Sequence, residues 1–452
     1  MLFSSLSFLV WFLPAVAGIH ALLPRGLRNP FLLLASIFFY AWGEIRYVPL
    51  LLGLMASNYA LGFLCGSKSR AAARFGLILS LAVNFGTLFF YKYSGWVIGT
   101  FAPGAAGFQA PPLPLGISFF TFQSQAYLID VYRGVTPTER SIIGYGTFIL
   151  LFPQFIAGPI VLYTDVRRDL RERRVDPKDM EAGTLMFIAG LSSKLLLANR
   201  LGQVWEAAAG AGMLSAPAAW LGVLGFGLQI YFDFAGYSLM AIGMGRMLGF
   251  HFPKNFDHPY SAVSVRDFWR RWHMTLSRWF RDYVYFPLGG SRRRPPRVFL
   301  TLLLVWMLTG LWHGADLRFL LWGLWFFVFL ALEHFVPRFR PQEHPVLGRV
   351  YAMLVVLFGW VLFASESTGA ALRYAGTMLS LRGGADWAFL LRDNFVLLAV
   401  SVLMCVPPVV RAMAARLRER PGLRVAAGLA LMLLCVSSLV SESFNPFLYF
   451  RF

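Results

Sequence analysis

Apolar runs about one bilayer crossing in length follow each other along the whole chain. FSSLSFLVWFLPAVAGIHALL, VPLLLGLMASNYALGFLCG and FGLILSLAVNFGTLFFY lie in the first hundred residues, and FVLLAV and VAAGLALMLLCVSSLV lie near the end. A crossing needs roughly 20 mostly apolar residues. The pattern therefore predicts an all-α polytopic membrane protein with roughly a dozen transmembrane helices. The first run follows Met1 with no basic leader or small-residue cleavage site, so it is expected to be retained as a helix.

Composition agrees with this pattern. Of 452 residues, 58% are hydrophobic and 14% charged, more apolar side chain than one water-soluble core can hide. The formal charge of +19 invites a nucleic-acid reading. Its placement argues instead for cytoplasmic loops beside a lipid bilayer, because the basic residues cluster at 67–74, 165–178, 291–297 and 411–424. The segments 101–112 and 206–219 are nearly free of charge and are placed outside. The resulting path starts and ends outside. Cys65, Cys405 and Cys435 sit in or beside apolar runs without metal-type spacing, so packing is their expected role and no metal is expected.

Several segments break the simple rhythm. YGTFILLFPQFIAGPIVLY (145–163) has basic residues on both sides and carries Pro153, Gly158 and Pro159, which predicts a re-entrant hairpin covered by protein or lining a cavity. SVRDFWRRWHMTLSRWFRDYVYFPLGGSR (264–292) is too charged to span lipid. At helical spacing Trp269, Trp272, Leu276, Trp279 or Phe280, and Tyr283 form one stripe, while Arg270, Ser277 and Arg281 form another edge. This predicts an amphipathic helix, either at the interface or inside the bundle, with His273 between the edges.

Polar residues inside apolar helices are costly and call for a partner. His313, beside Trp312 in WMLTGLWHGADLRF, is one such residue, and Asp316 and Arg318 soon after it predict a helix end close by. The position suits either a structural hydrogen bond or a catalytic base with access to polar surroundings. Asp233 in QIYFDFAGYS is a second, expected to orient a neighbouring group, while Gly236, Gly243, Gly245 and Gly249 are expected to let helices approach closely. LPLGISFFTFQSQAYLIDVYRG (113–134) carries Ser118, Thr121, Gln123, Gln125 and Asp130, which suit a polar tunnel or bonds between helices equally. The last residues, ESFNPFLYFRF, should fold back onto apolar surface, either as an aromatic anchor or with Tyr449 entering a pocket as a nucleophile.

Together PLGISFFTFQSQAYLIDVYRG, LFPQFIAGPIV, YFDFAGYS, NFDHPYSAVSVRDFWRRWHMTLSRWFRDYVYFPLGG and LTGLWHGA resemble the membrane-bound O-acyltransferases. Within that family they are similar to the membrane subunits of bacterial alginate, cellulose and peptidoglycan O-acetylation. The resemblance implies a single membrane domain over 1–452, with re-entrant and amphipathic helices around a central funnel or tunnel. It implies His313 as the essential catalytic residue and His273 as its companion, with Asp233, Gln123, Trp312 and Arg270 as tunnel candidates. Leu239 stands where relatives often have a polar or acidic residue, leaving Asp233 as the nearby acid. FLYFRF (447–452) is similar to the F-x-Y-x-x-F ending of a small subunit that accompanies the teichoic acid D-alanyl-transfer members, which implies Tyr449 as an acyl carrier.

The implied reaction uses acetyl-CoA as a cytoplasmic donor, with no permanently bound cofactor. It implies an extracytoplasmic polysaccharide acceptor, an SGNH-type acetyltransferase partner and residence in the bacterial inner membrane. Two rival classes make different predictions. A transporter or flippase of an acyl donor or lipid-linked sugar would use His313 as a proton relay and leave its cargo chemically unchanged. A scaffold for an outer enzyme would not need His313.

Overall fold

A computed structural model describes residues 2–102, 108–155, 158–211, 214–441 and 447–448. Among these residues the secondary structure is helical, without strands. Among the described residues nine helical stretches are long and apolar enough to cross a membrane, starting with Arg25–Cys65 and ending with Pro421–Ser441. A shorter apolar helix, Phe8–Leu22, and a polar-streaked helix, Ile117–Tyr132, accompany them. The protein is an all-α polytopic membrane protein.

Burial separates central from peripheral helices. The most apolar window of Ala216–Met247 is 72% buried, whereas Asp386–Met404 and Pro421–Ser441 each bury only 11%. Their Phe395, Val396, Leu429 and Leu433 face outward, where lipid and not water is the fitting solvent. A polar side chain on the central helix must find its partner within protein, and that is where Asp233 lies.

Clustering of contacts divides the chain into two compact units, Met1–Phe187 with Ser238–Lys254 and Ile188–Tyr237 with Asn255–Phe452. In the first unit the 145–163 segment is broken as its prolines and glycine require. Helix Ile142–Leu150 stops at Leu151, a single turn follows at Phe152–Phe155, and 158–162 are non-helical before Tyr163–Glu172. The described residues of this segment are buried, so protein covers the irregular backbone.

In the helix Ile117–Tyr132 the interhelical alternative holds for Gln125. Gln125 is interhelical glue: its Oε1 accepts from Asn84 Nδ2 at 3.1 Å and its Nε2 donates to Ser80 Oγ at 3.2 Å. Asn84 exchanges two further bonds with Asn58, at 2.8 and 2.9 Å. Gln123 is equally buried, yet neither its amide nitrogen nor its oxygen finds a partner among the described residues.

In the second unit Pro295–His313 and Leu317–Phe335 form a tight antiparallel hairpin. A Cβ at Gly310 would collide with the Phe319 carbonyl, and one at Gly323 with the Trp306 carbonyl, so the two backbones touch where both residues lack side chains. Gly236 has the same function on the central helix, where a Cβ would stand 2.7 Å from the Gly190 oxygen.

The 264–292 segment differs from the single amphipathic helix its periodicity predicts. It is two short helices, Val265–Arg271 and Met274–Phe280, followed by a π-turn at Arg281–Tyr285. The break falls at Trp272 and His273, and His273 adopts a left-handed backbone with φ 43°. Trp269, Trp272, Leu276, Trp279 and Phe280 are all buried, so the stripe packs inside protein and is not an interfacial anchor. The basic stretch at 411–424 likewise begins within a helix, Pro407–Glu419, that buries no side chain. A charged exposed helix fits a bilayer surface.

Candidate active site

His313 is the last residue of its helix. Gly314 leaves with extended backbone, and Asp316 caps the next helix by accepting from the Arg318 amide at 2.8 Å. The close hairpin thus sets His313 among aromatic rings. Its centroid lies 5.0 Å from Trp312, 4.9 Å from Trp322 and 5.2 Å from Phe363, all edge to face. The residue is 5% exposed.

His273 is 5.9 Å from the same Trp312, so one indole lies beside both imidazoles. Phe234 packs edge-on against the other side of His273 at 4.7 Å. The left-handed backbone of a non-glycine residue costs about 1–3 kcal/mol and persists only where surroundings impose it. Asn255 imposes it: its carbonyl accepts from Met274 N–H at 2.9 Å, and its side-chain oxygen meets His273 Nδ1 at 3.1 Å. That oxygen also accepts from the Thr275 amide at 3.3 Å and hydroxyl at 2.9 Å.

An atom receiving a backbone N–H is the amide oxygen, so Nδ1 must carry the proton and Nε2 the lone pair. Nε2 is buried and has no hydrogen-bond partner among the described residues. Burial holds the ring's pKa down at about 3, which keeps it neutral. A neutral, oriented imidazole of this kind presents an unused lone pair that can accept a hydrogen bond.

A second polar centre lies on the central helix. Asp233 Oδ1 pairs with Lys194 Nζ at 2.6 Å, and each side chain is 3% exposed. Lys194 sits on a π-helical turn, Ser193–Ala198, next to the point where Gly236 admits the neighbouring backbone. Asp233 Oδ2 accepts from the Leu448 backbone N–H at 2.7 Å. Phe447 is buried, 4.7 Å from the Tyr237 ring and 5.8 Å from Phe234. The described part of the tail therefore folds back onto an apolar surface, as its composition predicts. Tyr449 lies outside the described residues.

Leu448 also borders a cavity of about 1150 Å³, whose walls include Gln229, Arg318, Ser365, Arg373 and Arg382. Arg318 reaches across to donate to the Ser365 carbonyl.

The profile of MBOAT, the membrane-bound O-acyltransferase family, matches residues 133–368. This chain belongs to the membrane-bound O-acyltransferase family. It is 35% identical over the full length of both chains to the Pseudomonas putida protein named "Probable alginate O-acetylase AlgI". A Pseudomonas aeruginosa protein of the same name is 37% identical over 89% of this chain and 79% of that protein. The Helicobacter pylori "Peptidoglycan O-acetyltransferase" is 32% identical over 85% of this chain and 80% of its own. This membrane-bound O-acyltransferase is thus a multi-pass membrane enzyme of acyl transfer.

Within it, His313, Trp312 and His273 are brought together, and Asp233 lies one residue before the Phe234 that touches His273. Arg270 is exposed on the first short helix, and Gln123 belongs to the first unit. The sequence reading missed Asn255, Trp322 and Lys194. Lys194 was discoverable, since a single cation in GLSSKLLLAN demands a partner. Asn255 carries no such signal, because an asparagine in a loop is ordinary until its acceptor is seen beside His273.

Proposed function

We propose that this enzyme takes an acetyl group from acetyl-CoA on the cytoplasmic side and delivers it to an extracytoplasmic polysaccharide, from a bacterial inner membrane. The observation that carries this reading is the pair of buried imidazoles sharing Trp312, one of them with a fixed tautomer and an unused Nε2. The names of the relatives support a polysaccharide acceptor.

The assigned roles follow from position. His313 is the base that removes the proton from an acceptor hydroxyl, and His273 is its companion. The hydroxyl oxygen attacks the thioester carbonyl, the C–S bond breaks, and the departing sulfur takes up the proton as the thiol. General-base help of this kind is worth roughly 10²–10⁴-fold. Gln123 is assigned to the polar passage because its buried amide has no partner among the described residues.

Charge supports the direction of transfer. The Pro295–His313 helix starts beside the basic 291–297 stretch and so ends, at His313, on the outer side. The tail is anchored in the same unit, which supports Tyr449 as the first acceptor; a periplasmic SGNH-type acetyltransferase is proposed as the next. Arg270, being exposed, is better suited to meeting such a partner or a headgroup than to the buried chemistry.

The test is incubation of purified protein with isotopically labelled acetyl-CoA, followed by mass spectrometry of the C-terminal peptide. Label on Tyr449 that disappears in His313→Ala supports the relay. Label that reaches added glycan or partner while the tail stays unlabelled removes Tyr449 from the path. Label on none of them, with cargo crossing the membrane unchanged, refutes acyl transfer by this site.

A further inference from the structure

The buried Lys194–Asp233 pair has a feature that helix packing alone does not need. Asp233 uses only one oxygen on the lysine and turns the other to a main-chain N–H of the tail, 215 residues later in the chain. We infer that Asp233, held by Lys194, is a main-chain receptor for the C-terminal segment and positions whatever follows Leu448.

Three observations converge on this role. The receptor is prebuilt: both charges are buried and paired, and the close Gly236–Gly190 contact brings the Lys194 turn against the Asp233 helix. The docking is two-point: Phe447 fills the aromatic niche of Phe234 and Tyr237 while Leu448 supplies the N–H. The niche also touches the chemistry, because Phe234 is the ring packed on His273.

Reach explains what docking achieves. Tyr449 lies eight Cα steps beyond Ser441, the end of the last helix, a span of up to about 27 Å when extended. With Leu448 fixed, the next residue is confined to one Cα step, about 3.8 Å. Docking therefore replaces a wide search by a narrow one, which raises effective concentration without any new contact to the reacting atoms. Lys194 and Asp233 are positioning residues in this scheme. Their role in presenting Tyr449 rests on the proposed function, whereas the docking itself does not.

The experiment removes the donor without disturbing the helices. Leu448→Pro deletes the N–H and Leu448→Ala keeps it. Hydrogen exchange of the C-terminal peptide is followed in the full-length protein by mass spectrometry. The wild type and Leu448→Ala should both protect the Phe447–Tyr449 stretch. Leu448→Pro should lose protection roughly 10- to 100-fold, as expected for a hydrogen bond to a charged group.

A second pair of variants tests the receptor. Lys194→Gln with Asp233→Asn keeps an acceptor oxygen and should retain protection, whereas Lys194→Met with Asp233→Leu removes it and should release the tail. Equal exchange in Leu448→Pro and Leu448→Ala overturns the inference, and so does a tail unprotected in the wild type. A protected tail that never acquires label from acetyl-CoA leaves the receptor standing and defeats only the acyl-tyrosine reading.

Discussion

Asn255→Ala separates orientation from presence at the candidate active site. The Asn255 side-chain oxygen meets Nδ1 of His273 at 3.1 Å and takes two bonds from Thr275. Truncation leaves His273 free to move its proton to Nε2 and to lose the fixed orientation in which it accompanies His313. A hydrogen bond of this buried kind is worth roughly 1–3 kcal/mol, and 1.36 kcal/mol is tenfold, so the rate should fall about 5- to 150-fold. The assay is initial-rate transfer of labelled acetyl to acceptor in proteoliposomes, with unfolding temperature recorded in parallel. Thr275→Val removes one of the three donors to the same oxygen without touching Nδ1, so its rate should stay within about threefold of wild type by the same reasoning. If Asn255→Ala keeps full activity, or Thr275→Val loses as much, His273 tautomer control is wrong.

His313→Ala should lower acetyl transfer by roughly 10²–10⁴-fold with an unchanged unfolding temperature, and retained activity would remove it as the base. Gly310→Ala or Gly323→Ala forces apart the hairpin that carries His313; each should cost about 1–3 kcal/mol of stability in detergent and reduce activity, and a neutral result would contradict the backbone contact. His273 is neutral when folded, with a pKa near 3 against 6.5 ordinarily, so the unfolded chain binds the extra proton at acid pH. Stability should therefore fall as pH drops from about 6.5 towards 3, by up to about 1.4 kcal/mol per unit, and His273→Gln should flatten that slope. An identical slope in the variant would show that His273 does not titrate in this way.

The membrane class, the broken 145–163 segment and the existence of the aromatic stripe are legible in the sequence, because hydropathy, proline and helical spacing act locally. That the stripe faces inward is not, since interface and bundle interior suit it equally. The helix end at His313 is legible for the same reason, from Asp316 and Arg318. The single helix expected over 264–292 is not what forms, because periodicity registers apolar positions but not a backbone reversal. His273 takes a left-handed conformation that no local signal demands, and Asn255 imposes it across a turn. The fates of Gln123 and Gln125 were likewise indistinguishable two residues apart. Only the arrival of Asn84 and Ser80 decides which of them is satisfied.

The Lys194–Asp233 pair also orders the making of the protein. A charged residue entering lipid alone costs about 2.5–3.5 kcal/mol on insertion scales, so helices carrying opposite charges gain by entering together. These two partners are 39 residues apart in the chain, on consecutive spans, and can meet while later spans are still being synthesised. The remaining carboxylate oxygen then waits for Leu448, 215 residues further along the chain. A truncated chain inserts with that acceptor unanswered and its aromatic niche unfilled. Arrival of Phe447 and Leu448 is thereby recorded at the site itself.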